Sequence, residues 1–274
     1  MNVRPLRTVI AVGILIAISQ PTSASDTVSF SSSGKLLHGL LYKPAGKGPF
    51  PAVLYNHGSA PGLLNNQAFD LIGPMFTARG WVFFAPYRRG QGLSSDAGPY
   101  VQDEIQVARA RGGDSLAAET MVRLLTTEQL HDQMAALSWL KEQTFVRPTQ
   151  ISAMGNSFGG IETVLGVEQV SYCAGVDASG GAESWDLAPA LQSVMLHAVR
   201  NAKAPILFFQ AENDYNLAPS RTLYAAMKES NRQAEIRIYP PYGNSPQEGH
   251  SFAYRGASHW IDDVFRFLEA HCKP

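Results

Sequence analysis

The chain has 274 residues, of which 45% are hydrophobic and 16% charged, so it carries ample apolar material for a core at a size where α/β folds form one domain. The formal net charge is −1, and no run of Lys and Arg interrupts the near balance of signs. That pattern excludes the electrostatic footprint of a nucleic-acid binder and favours a small, near-neutral ligand.

In chain order, the amino terminus departs first. Arg4 and Arg7 precede an uncharged apolar run, Thr8 to Ile18, and then come Gln20-Pro21 and the small residues Thr22, Ser23, Ala24 and Ser25. This three-part layout predicts a secretory signal over residues 1–24, cleaved near Ala24, and hence export to the periplasm or the medium. The run is shorter than the roughly 20 apolar residues a bilayer span needs, so no stable membrane insertion is expected after cleavage.

The remainder, 25–274, reads as a single domain in which short apolar runs alternate with stretches of helical period. Val28–Ser31 and Leu36–Tyr42, split by Ser32-Ser33-Gly34-Lys35, predict an antiparallel opening hairpin. Pro51–Tyr55, Trp81–Ala85, Thr149–Met154, Cys173–Ala178, Ile206–Gln210 and Glu235–Tyr239 predict buried strands. Helical spacing falls on Gln67–Arg79, Glu128–Gln143, Phe158–Val167, Leu187–Asn201, Ser220–Asn231 and His259–His271, with a capping box expected between Thr126 and Gln129. The alternation predicts a mostly parallel eight-stranded sheet with helices on both faces. Residues 94–125 exceed what a connection needs. Gly98-Pro99 and Gly112-Gly113 divide them, and two helical pieces, Val101–Arg111 and Ser115–Leu125, are expected to form a small partial cap.

The strongest chemical signal is Gly155-Asn156-Ser157-Phe158-Gly159-Gly160, directly between a strand and a helix. A turn this sharp holds a serine exposed in a strained conformation, and flanking glycines avoid collisions with neighbouring backbone. The Phe158 N–H then opens a helix, where unpaired donors favour a developing anion. A serine hydroxyl alone is a poor nucleophile and requires a base and an orienting acid. Asp214, in the polar turn Ala211–Asn216 after the predicted strand Ile206–Gln210, is the candidate acid, with Glu212 as its rival. His250, in an irregular loop from Tyr239 to Phe252 before the last helix, is the candidate base, with His259 as its rival. Both choices complete the chain order Ser, acid, His. His57-Gly58-Ser59, following an early strand, predicts a second oxyanion donor at the Ser59 N–H, with His57 itself structural. Trp185 and Tyr215 are candidates to line the substrate pocket. Arg88-Arg89 with Gly90 lacks the spacing of a phosphate loop and is expected to pack beside the oxyanion turn, one arginine in an ion pair. No His, Cys or Asp cluster shows ligand spacing, so no metal and no cofactor are predicted.

Taken together, these motifs resemble the dienelactone-hydrolase-like branch of the α/β-hydrolase superfamily, from about Leu36 to Phe267. The resemblance implies the α/β-hydrolase fold and a serine hydrolase acting on carboxylic esters of small molecules through an acyl-enzyme. In that reading Ser157 is the nucleophile, His250 the general base and Asp214 its orienting acid, while Ser59 and Phe158 hold the oxyanion. One departure stands out: dienelactone hydrolases carry a cysteine nucleophile where this chain has Ser157, which favours a general carboxylesterase. A peptidase or amidase of the prolyl-oligopeptidase type, an acyltransferase using the same three residues, and a binding protein on an esterase scaffold remain open. Cys173 and Cys272 can form a disulfide or stay a buried and a terminal thiol.

Overall fold

A computed structural model describes residues 25–60 and 62–273; the expected signal segment lies outside them. Eight strands form one open sheet: β1 (Asp26–Ser32), β2 (Lys35–Tyr42), β3 (Phe50–Asn56), β4 (Val82–Pro86), β5 (Val146–Asn156), β6 (Gly175–Ala178), β7 (Ile206–Ala211) and β8 (Ala234–Tyr239). Their spatial order is β1-β2-β4-β3-β5-β6-β7-β8. β1 pairs antiparallel with β2, as does β2 with β4, and every later pairing is parallel. This is the α/β-hydrolase arrangement expected from the alternation of elements.

The strands β4, β6 and β7 are buried at every position, as expected where helices cover both faces and the sequence reads as a continuous apolar run. Alternate residues of one strand serve opposite cores. Leu54, Phe84 and Phe208 pack on one face with residues of α2 (Val101–Thr126), α3 (Glu128–Lys141), α4 (Phe158–Gln169), α5 (Pro189–Arg200) and α6 (Ala218–Glu229). Val53, Tyr55, Phe83 and Phe209 pack on the other with α1 (Gly62–Thr77), α7 (Pro246–Arg255) and α8 (Ala257–His271). On α8 the buried positions Trp260, Ile261, Val264, Phe265 and Leu268 repeat at helical spacing, each large side chain contributing about 1.5–3 kcal/mol of apolar burial. A disulfide joins Cys173 to Cys272 across a sequence separation of 99, which settles the open choice and ties the end of α8 to the approach of β6. On chain-entropy grounds, closing so long a loop is worth about 4–5 kcal/mol.

Two local expectations change. The loop expected from Tyr239 to Phe252 instead contains α7: Ser245 caps it by accepting from the Glu248 N–H at 3.2 Å, and Pro246 occupies its first turn. The capping box at Thr126 does not form, because α2 continues through that residue and its hydroxyl donates back to Val122 O at 2.8 Å. Within α2 the backbone is non-helical at Gly112 and Gly113, where the expected two pieces meet; Gly113 takes φ 71°.

Candidate active site

Ser157 stands alone between β5 and α4 with φ 55° and ψ −120°, a region that costs a serine about 1–3 kcal/mol. The turn is held from both sides. Ser157 N–H donates to Ala178 O at 2.9 Å, and Ser157 O accepts from the Gly160 and Ile161 N–H groups. A Cβ on Gly159 would run into the Asn56 carbonyl, and one on Gly155 into the Gly159 carbonyl, so both positions must be glycine for β3, β5 and α4 to approach this closely. Phe158 follows as the first residue of α4, where N–H groups lack intrahelical partners.

The turn after β7 places Asp214 with its side chain wholly inside. Its Oδ1 accepts from Tyr215 N–H at 2.7 Å and from His250 Nδ1 at 2.8 Å, and its Oδ2 accepts from Gln210 Nε2 at 3.1 Å. Since a carboxylate only accepts, the imidazole must carry its proton on Nδ1. Nε2 is then the lone-pair nitrogen. It is buried without a hydrogen-bond partner and lines a cavity that Ser157 also lines. Burial opposes the charged ring, but the hydrogen bond and charge of Asp214, together with the charge of Glu183, outweigh it and raise the His250 pKa above 6.5.

Asn213, which sequence reasoning passed over, ties the turn that carries Asp214 to the segment leading into α7. Its side chain donates to Tyr242 O and Ser245 O, both at 3.1 Å, and accepts from Tyr242 N–H at 2.8 Å, clamping the acid turn to the start of α7. A Cβ on Gly249 would stand 2.6 Å from Asn213 O, so the glycine before His250 permits that approach. The rivals lie elsewhere: Glu212 and His259 are both exposed, and His259 sits on α8 beside the rings of Tyr242 and Phe252.

The turn His57-Gly58-Ser59 is fixed through its carbonyls. Arg88 donates to His57 O at 2.7 Å and Gly58 O at 2.9 Å, and the Tyr100 hydroxyl donates to Ser59 O. Asn156 of the serine turn accepts from Gly58 N–H at 3.2 Å and from the Tyr55 hydroxyl at 2.9 Å, so the two proposed oxyanion elements share one side chain. Arg88 also pairs with Glu162 at 2.5 Å, and both are almost fully buried; burial lifts the Glu162 pKa to about 7 against the pull of Arg88. Both arginines, not one, are in ion pairs, because Arg89 grips Asp132 through two nitrogens at 2.8 and 2.6 Å.

Two cavities meet at Ser157. One, of about 190 Å³, lies against α2 and α4 and is lined by Ile105, Ala117, Met121, Phe158 and Ile161. The other, of about 380 Å³, contains Tyr100, Tyr215, Tyr254 and His250. Ser59, Gln102, Ser157 and Glu183 border both. Tyr215 therefore lines the site, 45% exposed, with its ring 5.3 Å from that of His250. Trp185 does not: it is 5% exposed and belongs to the core under α5, with its ring near the Gly181 backbone. Glu183, Tyr100, Gln102 and Tyr254 border the cavities without having been singled out from sequence. Among the described residues, no group of three or more His, Cys, Asp or Glu side chains is placed to hold a metal ion.

Residues 37–265 match the dienelactone hydrolase family. Similar solved structures include Pyrococcus horikoshii acylaminoacyl peptidase, at 18% identity and a TM-score of 0.64, covering 91% of this chain and 42% of that one. A candidate dienelactone hydrolase from Klebsiella pneumoniae subsp. pneumoniae is similar at 18% identity and a TM-score of 0.64, covering 90% and 97%. A Pyrococcus furiosus esterase is similar at 16% identity and a TM-score of 0.65, covering 92% of each chain. The chain thus spans 42% of the peptidase's length, and at these identities the likeness is one of fold.

Proposed function

The chain belongs to the dienelactone hydrolase family and is a hydrolase of the α/β-hydrolase fold, and from that premise we propose that it cleaves carboxylic esters of small molecules through an acyl-enzyme on Ser157. The observation that carries the proposal is the 2.8 Å bond between Asp214 and His250 Nδ1, which leaves Nε2 unpartnered in the cavity bordered by Ser157.

Ser157 Oγ attacks the ester carbonyl as His250 Nε2 takes its proton. Asp214 fixes the tautomer and stabilises the imidazolium. Main-chain N–H groups of Ser59 and Phe158 hold the oxyanion, one such donor being worth roughly 3 kcal/mol of barrier. The tetrahedral oxyanion collapses, re-forming the carbonyl as the C–O bond to the alcohol breaks, with His250 giving its proton to the departing alkoxide. Water then repeats the sequence on the acyl-enzyme, releasing the acid and restoring Ser157.

Labelling with a fluorophosphonate tests the nucleophile: the wild type is expected to label, and Ser157→Ala to lose both labelling and about 10⁶ in kcat toward p-nitrophenyl esters. A folded wild type that resists the probe overturns the proposal. Aminoacyl anilides turned over faster than those esters would favour the peptidase reading instead.

We further infer export. The amino-terminal layout of Arg4, Arg7 and the apolar run supports it, as does the Cys173–Cys272 disulfide, a bond that persists outside reducing compartments. Among the described residues no helix is long and apolar enough to cross a membrane.

A further inference from the structure

The two cavities divide an ester between them. The alcohol that departs from the acyl carbon in the first half-reaction must take its proton from His250 Nε2, which requires the departing oxygen to lie within about 3 Å of that nitrogen. His250 lines the larger chamber and not the smaller one. The alcohol therefore occupies the larger chamber, and the acyl group the smaller one, among Ile105, Ala117, Met121 and Ile161.

The charges in the alcohol chamber are one-sided. Glu183 borders it with a side chain 55% exposed and its Oε2 4.0 Å from His250 Nε2, and Asp214 lies directly behind the imidazole. Among the described residues, no Lys or Arg lines this chamber. Arg109 lines the other one, where Asp114 already pairs with it at 2.8 Å. Tyr100 and Tyr215 add two phenol rings whose π faces attract cations, while the Tyr254 ring already faces the Arg255 guanidinium at 5.9 Å. With His250 neutral, as a base must be, Glu183 and Asp214 are the charges nearest the imidazole, and among the described residues neither is paired with a Lys or Arg, which favours a cation at this end of the chamber.

We propose that this chamber receives a cationic leaving group: the preferred substrates are esters of an uncharged, apolar acid with an ammonium-bearing alcohol, and Glu183 is the residue that selects them. The proposal rests on the reading of Ser157 as an ester-cleaving nucleophile. An uncharged alcohol of equal size fills the same space without the electrostatic gain, and one bearing a carboxylate is repelled.

The test compares butyrylcholine with its carbon isostere, in which a tert-butyl group replaces trimethylammonium, for wild type and Glu183→Gln. In the wild type, kcat/KM for the choline ester should exceed that for the isostere by about tenfold or more, the scale of one desolvated cation contact. In Glu183→Gln the ratio should fall to near one, whichever way the isostere itself moves. Tetramethylammonium should inhibit the wild type competitively and the variant about tenfold less well. If Ser157 labels with a fluorophosphonate yet the wild type does not prefer the choline ester, the proposal fails while the ester reading survives. Parallel losses on both esters also overturn it, assigning Glu183 to His250 instead. If Ser157 does not label and neither ester is cleaved, both readings fail together.

Discussion

His57 and His250 both stand beyond the carboxyl ends of strands, beside the serine turn, and their surroundings drive them apart. His57 is fully enclosed, with Nδ1 bonded to Gly58 O at 2.7 Å and Nε2 accepting from Arg88 N–H at 3.4 Å. Burial first, and then the charge of Arg88, push its pKa well below 6.5. Both nitrogens are used and the ring stays neutral, so it can only brace the turn proposed to hold the oxyanion. His250 has a carboxylate where His57 has a guanidinium, and its pKa moves the other way. One of its nitrogens is left for chemistry. The neighbour's charge decides the role: a carboxylate stabilises the imidazolium that a base must become, whereas an arginine forbids it.

The sharpest way to break this comparison is to remove the proposed base. His250→Ala should lower kcat by about 10⁶, roughly 8 kcal/mol of barrier, and leave the melting temperature near that of the wild type. The pH profile reads the same contrast without a mutation. A base works unprotonated, so kcat/KM should rise with pH through the His250 pKa, giving an acid limb above 6.5 because Asp214 and Glu183 favour the charged ring over the opposing effect of burial. Asp214→Asn should move that limb downward. A limb below 6.5 in the wild type, or an alanine variant that keeps its rate, would contradict the role assigned to His250.

The next effect falls on stability and on the other histidine's partner. Arg88→Met removes the counter-ion of Glu162, whose carboxyl is buried with Oε1 already unpartnered, and withdraws the donors to His57 O and Gly58 O. Breaking a buried pair from one side costs about 3–5 kcal/mol, and chemical denaturation should show a loss of that size. Glu162 can ease it by taking a proton, since its pKa already stands at about 7. The double variant Arg88→Met, Glu162→Gln should therefore recover part of the stability but not the geometry of the turn. Full recovery of turnover in the double variant would mean that Arg88 does not position the oxyanion donors.

These residues were not equally legible in the sequence. Strands buried on both faces, such as Val82–Pro86 and Ile206–Ala211, read as apolar runs because nothing on them faces water. The serine turn was legible because its cause is local: Gly155 and Gly159 are dictated by backbone approach within a few residues. Asp214 and His250 followed from chain order, which the topology preserves. Orientation was harder. Trp185 and Tyr215 both follow strands, but Trp185 turns into the core while Tyr215 faces the larger chamber, a difference set by packing against α5 rather than by neighbours in sequence. Glu183 has no local signature at all, since Gly180-Gly181-Ala182-Glu183-Ser184 reads only as a polar turn. The helix α7 is a different case. It buries few apolar side chains, chiefly Phe252 and Ala253, so its apolar signal is sparse, and Pro240-Pro241-Tyr242-Gly243 before it reads as loop. Its start signal, Ser245-Pro246-Gln247-Glu248, was nonetheless present.

That cap yields the smallest effect. Ser245 accepts from Glu248 N–H, and the Glu248 carboxylate in return accepts from Asn244 N–H at 2.7 Å and from the Ser245 hydroxyl at 3.1 Å. Ser245→Ala should cost about 1 kcal/mol of stability, measurable as a small fall in denaturation midpoint. Ser245 O, which accepts from Asn213 Nδ2 and Gly249 N–H, is main chain and survives the substitution. The clamp between the acid turn and α7 therefore stays, and kcat should fall by no more than about threefold, in proportion to fraying of the first turn. A loss in kcat of several orders of magnitude, with the same modest loss of stability, would mean that the hydroxyl and not Asn213 sets the height of His250 above Ser157. The base would then owe its position to the helix cap rather than to the turn that carries its acid.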